Sequence, residues 1–261
     1  MSDRLSIHPT AQIDPGARLG NGTTVCAFSV IGPDVDVGEG CEIGPHAVVE
    51  GPSTLGARCR VFPFACIGMP PQDLKYRGER TTLEIGDDNV FREGVTVNRG
   101  TVGGGGTTRL GSGNLLMAQT HVAHDCQVGS GVIFANAATL AGHVSVADGA
   151  TIGAFSGVHQ FCRVGQHAYI GGYSVITQDA LPYALTVGNR ARSYGINVIG
   201  LERKKFPQET IQALKHAYRV LFRSKLTLQA AIERLEKDLP GHPEVGRLIG
   251  FIRSSQRGVI R

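Results

Sequence analysis

The chain has 261 residues, 36 of them glycine, with 6% aromatics and no tryptophan, a profile that suits many tight turns better than an aromatic-cored globule. It has neither the G-X-Y period of collagen nor a bilayer-length apolar stretch, and its start, MSDRLSIHPTAQ, lacks a signal-peptide layout, so a cytoplasmic protein is expected. Charge is uneven: residues 1–189 carry 11 Lys/Arg against 16 Asp/Glu, and residues 190–261 carry 15 against 6. The basic segment invites an anionic partner, but without aromatic-basic interleaving or a binding motif nucleic acid is not expected.

In chain order, every sixth residue from Ile7 to Ile67 is Ile, Leu or Val. The period lapses near 68–84, returns at Ile85, Phe91 and Val97, lapses again near 103–109, and runs from Leu110 to Ile176. Four residues after the aliphatic there is often a small residue, as at Ala11, Ala17, Ser29 and Ala47 and at Cys41, Cys59, Cys126 and Cys162. A period of six is the signature of a hexapeptide parallel β-helix, with one short strand per hexad and three hexads per coil. The aliphatic residues are then expected to point inward and stack about 4.8 Å apart along the axis. No CxxC pair exists, so the four cysteines read as reduced apolar filler.

The hexads stop near Pro182, which divides the chain into a β-helix over 1–189 and a helical appendage over 190–261. Within the appendage, PQETIQALKHAYRVLFR carries apolar residues at helical spacing, TLQAAIERLEKDL opens on Thr227 as an N-cap, and PEVGRLIGFIRSS predicts a last helix. The expected fold class is an all-β solenoid with a small α domain.

Four of the nine histidines, His121, His124, His143 and His159, lie between 121 and 161. With 18 residues per coil, His124 stacks on Gly142 and Gly142 on Gln160, while Asp125 stacks on His143. One corner of three coils therefore collects His124, Asp125, Gly142, His143, His159 and Gln160, with His121 at the preceding hexad boundary. None of the four histidines occupies an inward position. One chemistry for such a cluster is zinc binding, as in hexapeptide hydratases that pair two histidines five residues apart. No two histidines here have that spacing, so no metal is expected. The other is metal-free acyl transfer, in which an imidazole removes a proton from a hydroxyl as it attacks a thioester. Gly142 would let substrate approach the backbone, whose N–H suits a tetrahedral oxyanion.

The runs PQDLKYRGE at 71–79, NRGT at 98–101, LLMAQTHVAHDCQVG at 115–129, TLAGHVSVADGATIG at 139–153 and VHQFCRVGQHAYIGG at 158–172 resemble the acyl-ACP:UDP-N-acetylglucosamine O-acyltransferases of lipid A biosynthesis. The likeness extends through GINVIGLERKKF to the closing RGVIR. It implies a left-handed coil, a homotrimer with active sites between subunits, and transfer of a 3-hydroxyacyl chain to the glucosamine 3-hydroxyl (a 3-amino group in some relatives). It implies no cofactor, since phosphopantetheine arrives on the acyl carrier protein. Through the resemblance, His124 is the general base, Asp125 its electrostatic partner and Gly142 the oxyanion contact. Asp73 holds the sugar hydroxyls. His121, His143, His159 and Gln160 line the sugar, diphosphate and acyl positions, Gly172 falls where acyl length is gauged, and Asn197 and Arg203 contact the nucleotide. Lys204, Lys205, Arg219 and Arg223 could steer an acidic carrier protein. The chain departs from the family pattern at Asn98, where histidine is usual, and at Ile199, where glutamate is usual and uridine or ribose contacts are affected. The related N-acyltransferases usually carry an extra N-terminal domain, for which hexads beginning at Ile7 leave no room. The outward threonine ladders of a non-catalytic ice-binding prism are not found in register.

Overall fold

The computed structural model describes residues 4–261. Strands of two to four residues recur along the chain from Ser6–Ile7 to Val175–Ile176. Each pairs in parallel with a strand one coil away, as in His121↔Thr139 and Val122↔Leu140, then Thr139↔Gly157 and Leu140↔Val158. Among the described residues the strands form three sheets of 11, 9 and 8 members, the faces of a left-handed triangular prism. They are called the first, second and third sheet.

The inward aliphatic ladder is present. Val122, Leu140, Ile152, Ile170 and Ile176 are fully buried, and each such side chain contributes roughly 1.5–3 kcal/mol by leaving water. Cys41, Cys59, Cys126 and Cys162 are also fully buried, and burial pushes the Cys126 thiol up to about 12. Ile7, expected inside, is 47% exposed in the terminal coil.

The first interruption is narrower than the hexad pattern suggests, and the second is displaced toward the N-terminus. Strands Cys66–Met69, Thr82–Ile85 and Thr107–Leu110 run into them, because backbone pairing persists where side-chain periodicity lapses. The two insertions that remain are residues 70–81 and 99–106, and both leave the prism at the corner joining the second and third sheets.

The boundary after residue 189 falls at the turn of a hairpin. Strand Ala184–Gly188 continues the first sheet in parallel with Tyr169–Ile170, then pairs antiparallel with Ala191–Ile196. The hairpin thus extends the first sheet beyond the last hexad. The helices are α1 (Val198–Arg203), α2 (Gln208–Arg223), α3 (Leu228–Asp238) and α4 (Pro243–Arg253). Thr227 caps α3 by accepting from the Ala230 N–H at 3.3 Å. The helices form a second core around Leu201, Leu214, Leu221, Ile232 and Leu248, which includes Leu181 and Tyr183 from the end of the prism. The tail then returns: the Ile260 N–H donates to the Asp179 carbonyl, and buried Asp179 pairs with Arg163 at 2.9 Å.

Candidate active site

The corner between the second and third sheets carries the predicted cluster. At Asp125 the backbone turns with φ +61°, a left-handed conformation. Neighbours on a strand point to opposite faces, and this turn brings both side chains together instead. His124 Nδ1 donates to Asp125 Oδ2 at 2.7 Å. An ionised carboxylate only accepts, so the proton sits on Nδ1 and leaves Nε2 as the basic atom. The same arrangement recurs one and two coils on, at His143 (φ +61°) and Phe161 (φ +64°). The His124 and His143 rings meet edge to face at 5.1 Å, and His143 stacks on Phe161 at 4.5 Å.

Asp125 is almost wholly buried and well supplied with donors. Thr101 gives its N–H to Oδ1 at 2.8 Å and its hydroxyl to Oδ2 at 2.6 Å. The Asp125 N–H donates to Thr108 Oγ1 at 2.8 Å. Gly104 packs so closely that a Cβ there would lie 2.0 Å from the carboxylate carbon. Thr101 and Gly104 belong to the 99–106 insertion and were missed in the sequence, because their spacing from Asp125 is not a coil length.

Gly142 lies against the His124 ring, and no group among the described residues accepts from its backbone N–H. His121 projects from the adjoining strand and hydrogen-bonds Thr96 Oγ1 at 2.7 Å. Burial, with a smaller contribution from His124, holds its pKa below the usual imidazole value. His159 and Gln160 are exposed at the same corner, where His159 Nδ1 donates to the Gln160 carbonyl at 3.2 Å. Asp73 stands on the 70–81 insertion, two coils before His124, with Oδ1 accepting the Lys75 N–H at 2.9 Å.

Donor atoms of His124, Asp125 and His143 lie within 4.8 Å of one another. Such a trio could approach an ion, but His124 already commits Nδ1 to Asp125, and His143 Nε2 stands 3.8 Å from the same oxygen. Asp125 Oδ2 thus lies between two imidazoles, hydrogen-bonded to His124 and beyond hydrogen-bond reach of His143.

Three predicted site residues lie elsewhere on the chain. Asn197 and Arg203 line a cavity of 710 Å³ over the first sheet, with Ile133, His167, Tyr169 and Lys204. Ile199 lines it too, 65% exposed where the family pattern has glutamate. Asn197 caps α1 by accepting from the Gly200 N–H at 3.2 Å. Burial, with Lys204 close by, lowers the His167 pKa, and burial lowers that of Lys204. Lys204 is therefore separated from Arg219 and Arg223, which line a different cavity of 630 Å³ with Lys215 and Tyr194. Gly172 sits at the corner between the first and second sheets, facing the Ala154 carbonyl. Within one chain, then, the histidine corner and the Asn197–Arg203 cavity occupy different sides of the prism.

Among the described residues no helix is long and apolar enough to cross a membrane. Residues 179–260 match the family model of UDP-N-acetylglucosamine O-acyltransferase domain 2, and residues 16–51 match the bacterial transferase hexapeptide repeat. An acyl-[acyl-carrier-protein]--UDP-N-acetylglucosamine O-acyltransferase from Alkalilimnicola ehrlichii is 55% identical over 255 residues, 98% of this chain and 99% of the relative. One of the same name from Anaeromyxobacter dehalogenans is 51% identical over 98% of this chain and all of the relative. The crystal structure of UDP-N-acetylglucosamine O-acyltransferase from Moraxella catarrhalis superposes with a TM-score of 0.94 at 41% identity, covering 98% of this chain and 99% of that one. With the β-helix, the helical unit and the histidine corner all in place, the chain belongs to the UDP-N-acetylglucosamine O-acyltransferase family.

Proposed function

We propose that this enzyme transfers a 3-hydroxyacyl chain from acyl carrier protein to the 3-hydroxyl of the glucosamine in UDP-N-acetylglucosamine, the first step of lipid A biosynthesis, with His124 as general base. The observation that carries the assignment of the base is the Nδ1 bond to Asp125, itself held by two donors from Thr101. This support fixes the ring tautomer and orients Nε2 as the acceptor of the substrate proton. Nε2 takes the hydroxyl proton as the oxygen attacks the thioester carbonyl carbon. The tetrahedral oxyanion is met by the free N–H of Gly142. Collapse breaks the C–S bond, and the imidazolium returns its proton to the departing phosphopantetheine sulfur. No covalent enzyme intermediate or resident cofactor is needed, because the thioester arrives activated.

Asp73 holds the sugar hydroxyls, and His121, His143, His159 and Gln160 line the sugar, diphosphate and acyl positions. Asn197 and Arg203 hold the nucleotide from a neighbouring subunit of a homotrimer. The separation of the histidine corner from the cavity on one chain supports that arrangement, since a second copy can bring the two halves together. The exposed outward side chains Ile133, Tyr169 and Val175 give such an interface an apolar surface. Gly172 gauges the acyl chain and leaves room for a longer one. The cavity edged by Lys215, Arg219 and Arg223 receives the acidic carrier protein.

The test is incubation with UDP-N-acetylglucosamine and a mixture of 3-hydroxyacyl carrier proteins, with mass spectrometry of the products beside His124→Ala. An O-acylated nucleotide sugar, reduced at least about 100-fold in the variant, is expected, and the product mass gives the chain length. No product at any acyl length rejects the acceptor and points to a 3-amino sugar. Equal rates from both proteins reject His124.

A further inference from the structure

The segment Asn98–Thr101 contains two buried polar atoms without a hydrogen-bond partner, Asn98 Oδ1 and Arg99 Nε. Arg99 is 7% exposed, and its guanidinium donates only to neutral oxygens. A buried cation without a counter-charge is destabilising, so its placement calls for a role other than packing.

Both residues reach back one coil to the insertion that carries Asp73. Arg99 Nη1 donates to the Gly68 carbonyl at 2.6 Å, and Nη2 reaches Tyr76 Oη at 3.5 Å. Asn98 Nδ2 donates to the Pro70 carbonyl at 3.0 Å. Tyr76 in turn gives its N–H to the Asp73 carbonyl at 3.0 Å and its hydroxyl to the Glu79 carbonyl at 2.8 Å. The far end of the segment reaches forward one coil, where Thr101 supplies both donors to Asp125. Between them Gly100 runs so close to the next strand that a Cβ would lie 2.3 Å from the Thr107 nitrogen. Only glycine fits there, and the segment is clamped at its middle.

We infer that Asn98–Thr101 is a rigid strut joining the acceptor-holding loop to the base, with Arg99 and Thr101 as positioning residues for two separate tasks. The inference rests on the roles proposed for Asp73 and His124. Arg99 fixes where the loop presents Asp73, which governs capture of the sugar. Thr101 fixes Asp125, and through it the ring of His124, which governs the chemical step.

Steady-state kinetics separate the two ends. Thr101→Val removes one bond to a buried carboxylate, so kcat falls about 10- to 100-fold while the KM for UDP-N-acetylglucosamine stays within about twofold. Thr101→Ser keeps the hydroxyl and restores kcat. Arg99→Met raises that KM about 10-fold and lowers kcat by less than about threefold. Should Arg99→Met not fold, Tyr76→Phe breaks the same contact from the loop side and shifts KM in the same direction, by about threefold. Both ends changing the same parameter, or neither changing any, overturns the strut. An inactive His124→Ala with no split between the two ends rejects the strut alone, whereas a fully active His124→Ala rejects the base assignment on which it rests.

Discussion

Gly142 lies directly against the imidazole of His124: a methyl group built on Gly142 would sit 2.5 Å from Cε1 and 2.8 Å from Nε2. That separation is well inside van der Waals contact, and Nδ1 of the same ring, which is bonded to Asp125, would lie 3.1 Å from the methyl carbon. Gly142→Ala is expected to push His124 off Asp125 and lower kcat about 100-fold or more. The measurement is single-turnover acyl transfer, alongside a melting curve showing that the coil still folds. Wild-type turnover in the alanine variant would mean the ring has room to move.

Asp125→Asn tests the tautomer. The amide NH₂ can face His124 and force the proton onto Nε2, removing the base while leaving its shape. A loss in kcat of about 10³- to 10⁴-fold is expected, with little change in the KM for the nucleotide sugar. Equal losses in both parameters would show that Asp125 serves binding instead.

The separation of the histidine corner from the Asn197–Arg203 cavity predicts complementation between defective subunits. His124→Ala and Arg203→Ala chains, each inactive alone, should regain activity when unfolded together and refolded as hybrids. A cleft with its corner from one parent and its cavity from the other is wild type, and equal mixing makes about a quarter of clefts so. Mixtures as inactive as either parent would place both residues in one chain's site.

His121 and His167 make stability depend on acid. Burial holds both below the ordinary imidazole pKa, helped by His124 for the first and Lys204 for the second. The unfolded chain therefore takes up protons first as pH falls through about 6.5, and stability drops until the folded values are passed. Urea midpoints should decline from about pH 8 to pH 5, and His167→Gln should flatten the decline. A midpoint that rises on acidification would contradict the sign.

Core packing is expected to be separable from chemistry. Leu140 is fully buried within the coil ladder beside the corner. Leu140→Ala should cost about 2–5 kcal/mol of stability, measured by chemical denaturation, with kcat within a few fold at a temperature where it is folded.

What the sequence reveals follows the coil, and what it hides follows the insertions. His124, Gly142 and Gln160 are 18 apart, so a constant pitch is enough to stack them at one corner. Thr101 and Gly104 escape that arithmetic, because they stand 24 and 21 residues before Asp125 on a loop whose path depends on close backbone contacts. Residues 183–196 show no hexad yet form a hairpin, since antiparallel pairing on the first sheet needs no inward aliphatic every sixth place. The placement of Asn197 and Arg203 over the first sheet is equally invisible in the sequence, because residue spacing says little about which side a helical appendage will cover.

The uniform coil also has a consequence for how such proteins diversify. Every coil adds one strand spacing, about 4.8 Å, so distances along the prism come in discrete steps. Duplication or loss of one 18-residue unit would move the loop bearing Asp73 relative to His124 by a whole step and leave the hydrophobic interior in register. The reach between two groups on different coils is thus an inheritable integer, adjustable by recombination without redesigning a single side chain in the core.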